Sequence, residues 1–124
     1  MPDVDIDFDA PDLAARIEQL SEIEIDRLPF GVVRLDPEGL ILRYSATEAR
    51  QSGYGSQPVG LNFFEIARCS GKNDVRAQIV RGQEEGHVDL EFALPGDYAD
   101  PARGVRLRVQ SARQGGVWMF MQRD

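Results

Sequence analysis

The sequence predicts an α+β domain built on a single antiparallel sheet. Two observations carry this: strand-like segments cluster towards both ends of the chain, and the residues between them carry helix signals. A third is the stretch Asp36-Pro37-Glu38-Gly39, a turn with proline at its second position that joins two strand-like runs into a hairpin.

Residues 1–10 alternate acidic and apolar side chains. Pro11 stands where a first helical residue would, beside Asp12, and Leu13, Ile17, Leu20 and Ile23 follow at helical spacing. Residues 11–26 therefore read as an amphipathic helix or helix pair, with Glu18, Glu22 and Glu24 outward. Such a segment docks on a sheet through one modest apolar stripe and need not be strongly held. Residues 28–35 and 40–44 are the hairpin strands. Ser45, with Glu48 three residues on, has capping-box spacing for a short helix over 46–52. A loop follows, then a helical turn over 61–67. Asn73 is expected to cap a helix running through Val75, Ile79 and Val80 to Gly86. Val88, Leu90 and Phe92 alternate with polar neighbours, as do Val105, Leu107 and Val109. Residues 95–103, with two prolines and two acids, read as a surface loop. Gln114-Gly115-Gly116 is a turn before the last strand, Val117-Trp118-Met119-Phe120-Met121.

At 124 residues the chain has room for one domain with one real core. A net charge of −7, with no basic stripe interleaved with aromatics, argues against a nucleic-acid partner. No apolar run approaches a membrane span, and the acidic N-terminus is unlike a secretory signal. With one cysteine and no signal, the expected location is a reducing cytoplasm.

That one cysteine, Cys69, cannot form an internal disulfide or a multi-cysteine zinc site. It is either a small buried hydrophobe or a nucleophile that holds something covalently. Gly53-Tyr54-Gly55 and Gly71-Lys72 lack the pattern of a phosphate loop and read as turn glycines. The single histidine, His87, gives neither a triad nor a metal cluster and reads as a surface residue. No base lies at recognisable spacing from Cys69, so an enzyme is not expected. Tyr44 and Glu48 are four apart across a strand end and a short helix, so both can point into one cavity. Taken alone, they read as a packed tyrosine and a capping or solvated acid.

Longer stretches add context. Leu28-Pro29-Phe30-Gly31-Val32-Val33-Arg34-Leu35-Asp36, the run from Gly39 through Tyr44 to Glu48, Gly60-Leu61-Asn62-Phe63-Phe64-Glu65-Ile66-Ala67-Arg68-Cys69 and the tail Trp118-Met119-Phe120-Met121-Gln122-Arg123 together resemble the photoactive yellow proteins, light sensors of the PAS superfamily. The resemblance implies a PAS fold: a central five-stranded antiparallel sheet, helices on one face, an N-terminal helical cap over residues 1–26 and a core over 27–124. It implies 4-hydroxycinnamic acid (p-coumaric acid) bound to Cys69 as a thioester. Tyr44 and Glu48 match the residues that hydrogen-bond its phenolic oxygen, Ser52 the hydroxyl that supports them, and Phe63 a residue lining the ring. Arg68 stands where the family usually has proline, and its neighbourhood favours a thiolate. Tyr54 stands about where the best-known members place an arginine lid. The stretch from Glu48 to Cys69 is about two residues shorter than the family's.

A free phenol has a pKa near ~10, so a buried one ionises only if its anion is stabilised. O–H donors do that, and Glu48 donates only when protonated, a form that burial in an apolar pocket favours. The implied function is a cytoplasmic blue-light photoreceptor, not an enzyme. It signals through isomerisation, proton transfer from Glu48 and loosening of the N-terminal cap. Its output goes to a downstream signalling protein or a fused output domain, with no nucleic acid and no membrane involved. The loop 95–103 has no methionine where the family has one that aids recovery, which implies slow dark recovery. The rival reading is a divergent PAS sensor or interaction module with another ligand or none, in which Cys69 is a core thiol.

Overall fold

Alternating side chains on the strands divide the apolar residues between two cores, one on each face of a sheet. The structure, a computed structural model, describes residues 6–52, 58–67, 71–94 and 104–123. Its strands are β1 (Gly31–Leu35), β2 (Ile41–Tyr44), β3 (Asp89–Leu94), β4 (Val105–Ser111) and β5 (Val117–Arg123). They form one five-stranded antiparallel sheet, as the sequence predicts, and the structure adds its order, β2-β1-β5-β4-β3.

Helices α3 (Ala46–Ser52), α4 (Phe63–Ile66) and α5 (Lys72–Glu85) cover one face. Val33 and Leu35 of β1 and Val117, Met119 and Met121 of β5 point into that core, with Phe64, Val75 and Ile79 from the helices. Helices α1 (Leu13–Ile17) and α2 (Glu22–Asp26) lie on the other face, over Phe30, Val32, Trp118 and Phe120. Every residue of β5 from Val117 to Met121 is buried, which is why that strand reads as a continuous apolar run and not as an alternation.

The N-terminal segment is more firmly anchored than one apolar stripe requires. Phe8 packs edge-on to Phe30 at 5.4 Å, and Phe30 to Phe120 at 6.2 Å. Arg108 Nη1 donates to the carbonyls of Phe8 (2.6 Å) and Ala10 (2.8 Å). Gln110 accepts from Ala14 N (2.8 Å) and donates to Pro11 O (3.0 Å). The outward role expected of Glu18 is incomplete, because its carboxylate accepts from Trp118 Nε1 (3.1 Å) and Arg113 N (2.9 Å).

The helix pair breaks at residues 18–21, and Ser21 and Glu24 close a capping box that starts α2. The break resets the helical phase. Ile23, expected in the apolar stripe, is 66% exposed and Ile25 takes the buried place. In α5 the N-cap is Gly71, and Asn73 lies inside the first turn. Helix α5 ends at Gly86, as expected. Among the described residues no helix is long and apolar enough to cross a membrane.

Three carboxylates of the N-terminal segment are held below their ordinary pKa: Asp9 by Arg106, Asp12 by Arg16 and Glu24 by bonds from Ser21. A carboxylate depressed in the folded state stabilises it above the unfolded value, about 4, and that support is lost as pH falls through the folded value. Amide hydrogen exchange in residues 8–26 should therefore speed up relative to the β5 amides between pH 5 and pH 3. Equal protection of the two regions across that range would refute it.

Candidate functional site

Tyr44, Glu48 and Ser52 are spaced by four, so one face of α3 continues the end of β2. The start of α3 is pinned to β1: Ser45 N donates to Val32 O (2.9 Å), and Ser45 Oγ accepts from Val32 N (3.0 Å) and Glu48 N (3.2 Å). Ser45 thus caps the helix as its position suggests, while the Glu48 side chain is drawn elsewhere. All three site residues are buried, at 7%, 2% and 3% exposure. The hydroxyls of Tyr44 and Ser52 hydrogen-bond at 3.0 Å.

The Glu48 carboxylate meets Arg123, the last residue of β5. Arg123 Nη1 donates to Oε1 at 2.6 Å and Nη2 to Oε2 at 2.8 Å, and both side chains are almost wholly buried. A two-pronged contact with a guanidinium is made by an ionised carboxylate. Apolar burial alone favours a protonated Glu48, and this cation opposes it.

Gly31 makes the pairing possible. In β1 it stands opposite Met121, one face-step from Arg123, and a β-carbon there would overlap Glu48 Oε1. The missing side chain leaves the space that the carboxylate fills.

Helix α3 is also strapped to the end of the N-terminal segment. Asp26 Oδ1 accepts from Ala46 N at 2.9 Å, and Thr47 Oγ1 reaches Leu28 O at 2.7 Å and Asp26 O at 3.1 Å. From β2, Arg43 pairs with Glu22 (3.0 Å) and Asp26 (3.5 Å).

Phe63 is half-buried in α4, packed on the helix-side core and edge-on to Phe64. The start of α4 is fixed by Asn62, whose Oδ1 accepts from Phe64 N (2.9 Å), and by pairing of residues 60–63 with the outer edge of the hairpin. Of the predicted site residues, Cys69, Arg68 and Tyr54 lie outside the described residues. The structure brings Tyr44, Glu48 and Ser52 together and adds Arg123 and Gly31, which sequence reasoning did not single out. His87 is exposed.

No protein-family model matches the chain. It is 31% identical over 121 residues to a photoactive yellow protein from Rhodothalassium salexigens, covering 95% of this chain and 97% of that protein. Its structure is similar to the photoactive yellow protein domain of the sensor histidine kinase Ppr from Rhodospirillum centenum. There the TM-score is 0.77 and the identity 30%, over 88% of this chain and 98% of that one. The PAS domain of an HTR-like protein from Haloarcula marismortui shares the fold, with a TM-score of 0.58 at 16% identity over 90% of this chain and 96% of that one.

Filling the space at Gly31 tests the carboxylate's seat. Gly31→Ala should destabilise the protein by about 1–3 kcal/mol in urea titrations, as overpacking does. In a Glu48→Ala background, where the space is empty, the same change should cost well under half of that. Equal costs in both backgrounds would show that the strain lies elsewhere.

Proposed function

The chain belongs to the photoactive yellow protein family, and from that membership we propose that it is a blue-light photoreceptor carrying 4-hydroxycinnamic acid as a thioester on Cys69. The observation that supports this most is the burial of Tyr44, Glu48 and Ser52 on one continuous face, at the positions that match the family's phenol-binding residues.

The described residues fit such a group. A phenol needs a dry pocket with hydroxyl partners and a compensated charge. Tyr44 and Ser52 supply the hydroxyls, and Glu48 with Arg123 supplies a carboxylate and a counter-charge. When bound, the pigment supplies absorption of blue light and a double bond that isomerises.

Each protein group then has a task. Tyr44 donates to the phenolic oxygen while Ser52 fixes the tyrosine's orientation. Glu48 exchanges a proton at its carboxyl oxygens. Phe63 packs beside the ring, and the family match assigns Arg68 and Tyr54 to pigment binding as well.

A change of charge at Glu48 loads α3, and α3 is tied through Asp26, Thr47 and Leu28 to residues 26–28. Movement of α3 would therefore strain the attachment of residues 1–26, which we take as the releasable cap on a core of 27–124. Undocking that cap is the signal, passed to a downstream protein or a fused output domain. The Ppr relative, a domain of a sensor histidine kinase, is consistent with the second arrangement.

Purified protein treated with activated 4-hydroxycinnamate should gain the hydroxycinnamoyl mass on a peptide containing Cys69 and absorb blue light. Cys69→Ala should do neither. A parent thiol that stays unmodified would refute the reading and favour a PAS module with another ligand. In illuminated, pigment-loaded protein, Glu48→Gln should cut the light-induced gain in hydrogen exchange of residues 8–26 at least several-fold. An undiminished gain would sink the link between Glu48 and the cap.

A further inference from the structure

The buried pair between Glu48 and Arg123 points to a residue that the family resemblance does not assign. Resting on the reading above, we propose that Arg123 is a positioning residue for the pigment. It holds Glu48 as a carboxylate, so the unloaded site presents an acceptor and not a donor. The incoming phenol brings the proton that the two oxygens then share.

The charge count supports this. Among the described residues, Arg123 carries +1 and ionised Glu48 −1, and a phenol adds 0, so this trio is neutral. Moving the phenol's proton to Glu48 gives a neutral acid and a phenolate, again neutral beside Arg123. No proton enters or leaves, and either arrangement is compensated. Without Arg123 both arrangements lose the positive charge that lies against the carboxylate, which makes a negative charge in a dry site more costly. Such a site takes up a proton instead.

The geometry is built for this pairing. The contact is two-pronged, at 2.6 and 2.8 Å, and both partners are buried. Gly31 of β1 leaves room for the carboxylate at that spot. Tyr44, from β2, shares this face, and its hydroxyl is bonded to Ser52, while Arg76 of α5 lies over the ring of Phe64. Arg50, on α3 itself, bonds to Thr47 Oγ1 and not to Glu48. Arg123 is 75 positions from Glu48 in sequence, so no local motif reveals it.

The test has an arm without pigment and an arm with it. In the unloaded protein, R123Q should lower the folded-to-unfolded ratio at pH 7 by about 100-fold or more, since it removes the guanidinium paired with a buried carboxylate. In an E48Q background the same change should cost less than a tenth as large a factor. Equal losses in the two backgrounds would make Arg123 a merely structural residue and overturn the proposal. In the loaded protein, the dark-state pH midpoint between the near-ultraviolet and blue bands should rise by at least one unit in R123Q. R123K, which keeps the charge, should recover most of that shift. Should R123Q alone not fold, the midpoints of E48Q and R123Q/E48Q are compared instead, and the rise is expected there too. An unshifted midpoint, in a parent that takes up the pigment, overturns this proposal and leaves the photoreceptor reading standing. A parent that refuses the pigment overturns both.

Discussion

β5 runs through the middle of the sheet, paired along its length with β4 and against β1, and both cores meet through it. Its odd positions, Val117, Met119 and Met121, pack under the helices, while Trp118 and Phe120 pack under the N-terminal segment. Interiors are close-packed, so a strand buried on both sides cannot shift for one core without disturbing the other. Arg123 ends the same odd-numbered row. The row that supports the helix-side core thus finishes in a guanidinium held against Glu48.

A buried ion pair is weak evidence of stability, because the cost of drying two charges can exceed their attraction. It does enforce geometry. The carboxylate has one favourable place, between the fork of Arg123 and the bare backbone of Gly31, and α3 must sit where it can reach it. The helix is further fixed by Ser45 on β1 and by Asp26 and Thr47 on the N-terminal side. A charge-bearing side chain and a docking strap therefore share one seven-residue helix, short enough to respond as a unit.

Most of the fold was legible because it follows from periodicity: alternation in β3 and β4, an unbroken apolar run in β5, turn chemistry in the hairpin. Local signals misled where tertiary contacts took over. Glu48 stands in capping-box register with Ser45, and only Ser45 performs that function, because a buried guanidinium outcompetes one backbone amide for the carboxylate. Glu18 looks solvent-facing on a helical wheel, yet the Trp118 ring nitrogen needs an acceptor and finds it there. Asn73 has the chemistry of a cap, but the backbone enters α5 two residues earlier through Gly71. Tyr44, Glu48 and Ser52 were visible through family resemblance and their spacing. Arg123 was not, since an arginine in a polar tail looks like any surface cation until the sheet register turns it inward.

Gly31 has a bearing on how this molecule can be watched. Its backbone lies directly beneath a carboxylate oxygen, with no side chain between them. The nuclear shielding of that peptide group should follow the field of the oxygen above it. A nitrogen-15 resonance from one residue of a β-strand would then report, in unmodified protein and without an optical label, whether the acid resting on it is ionised.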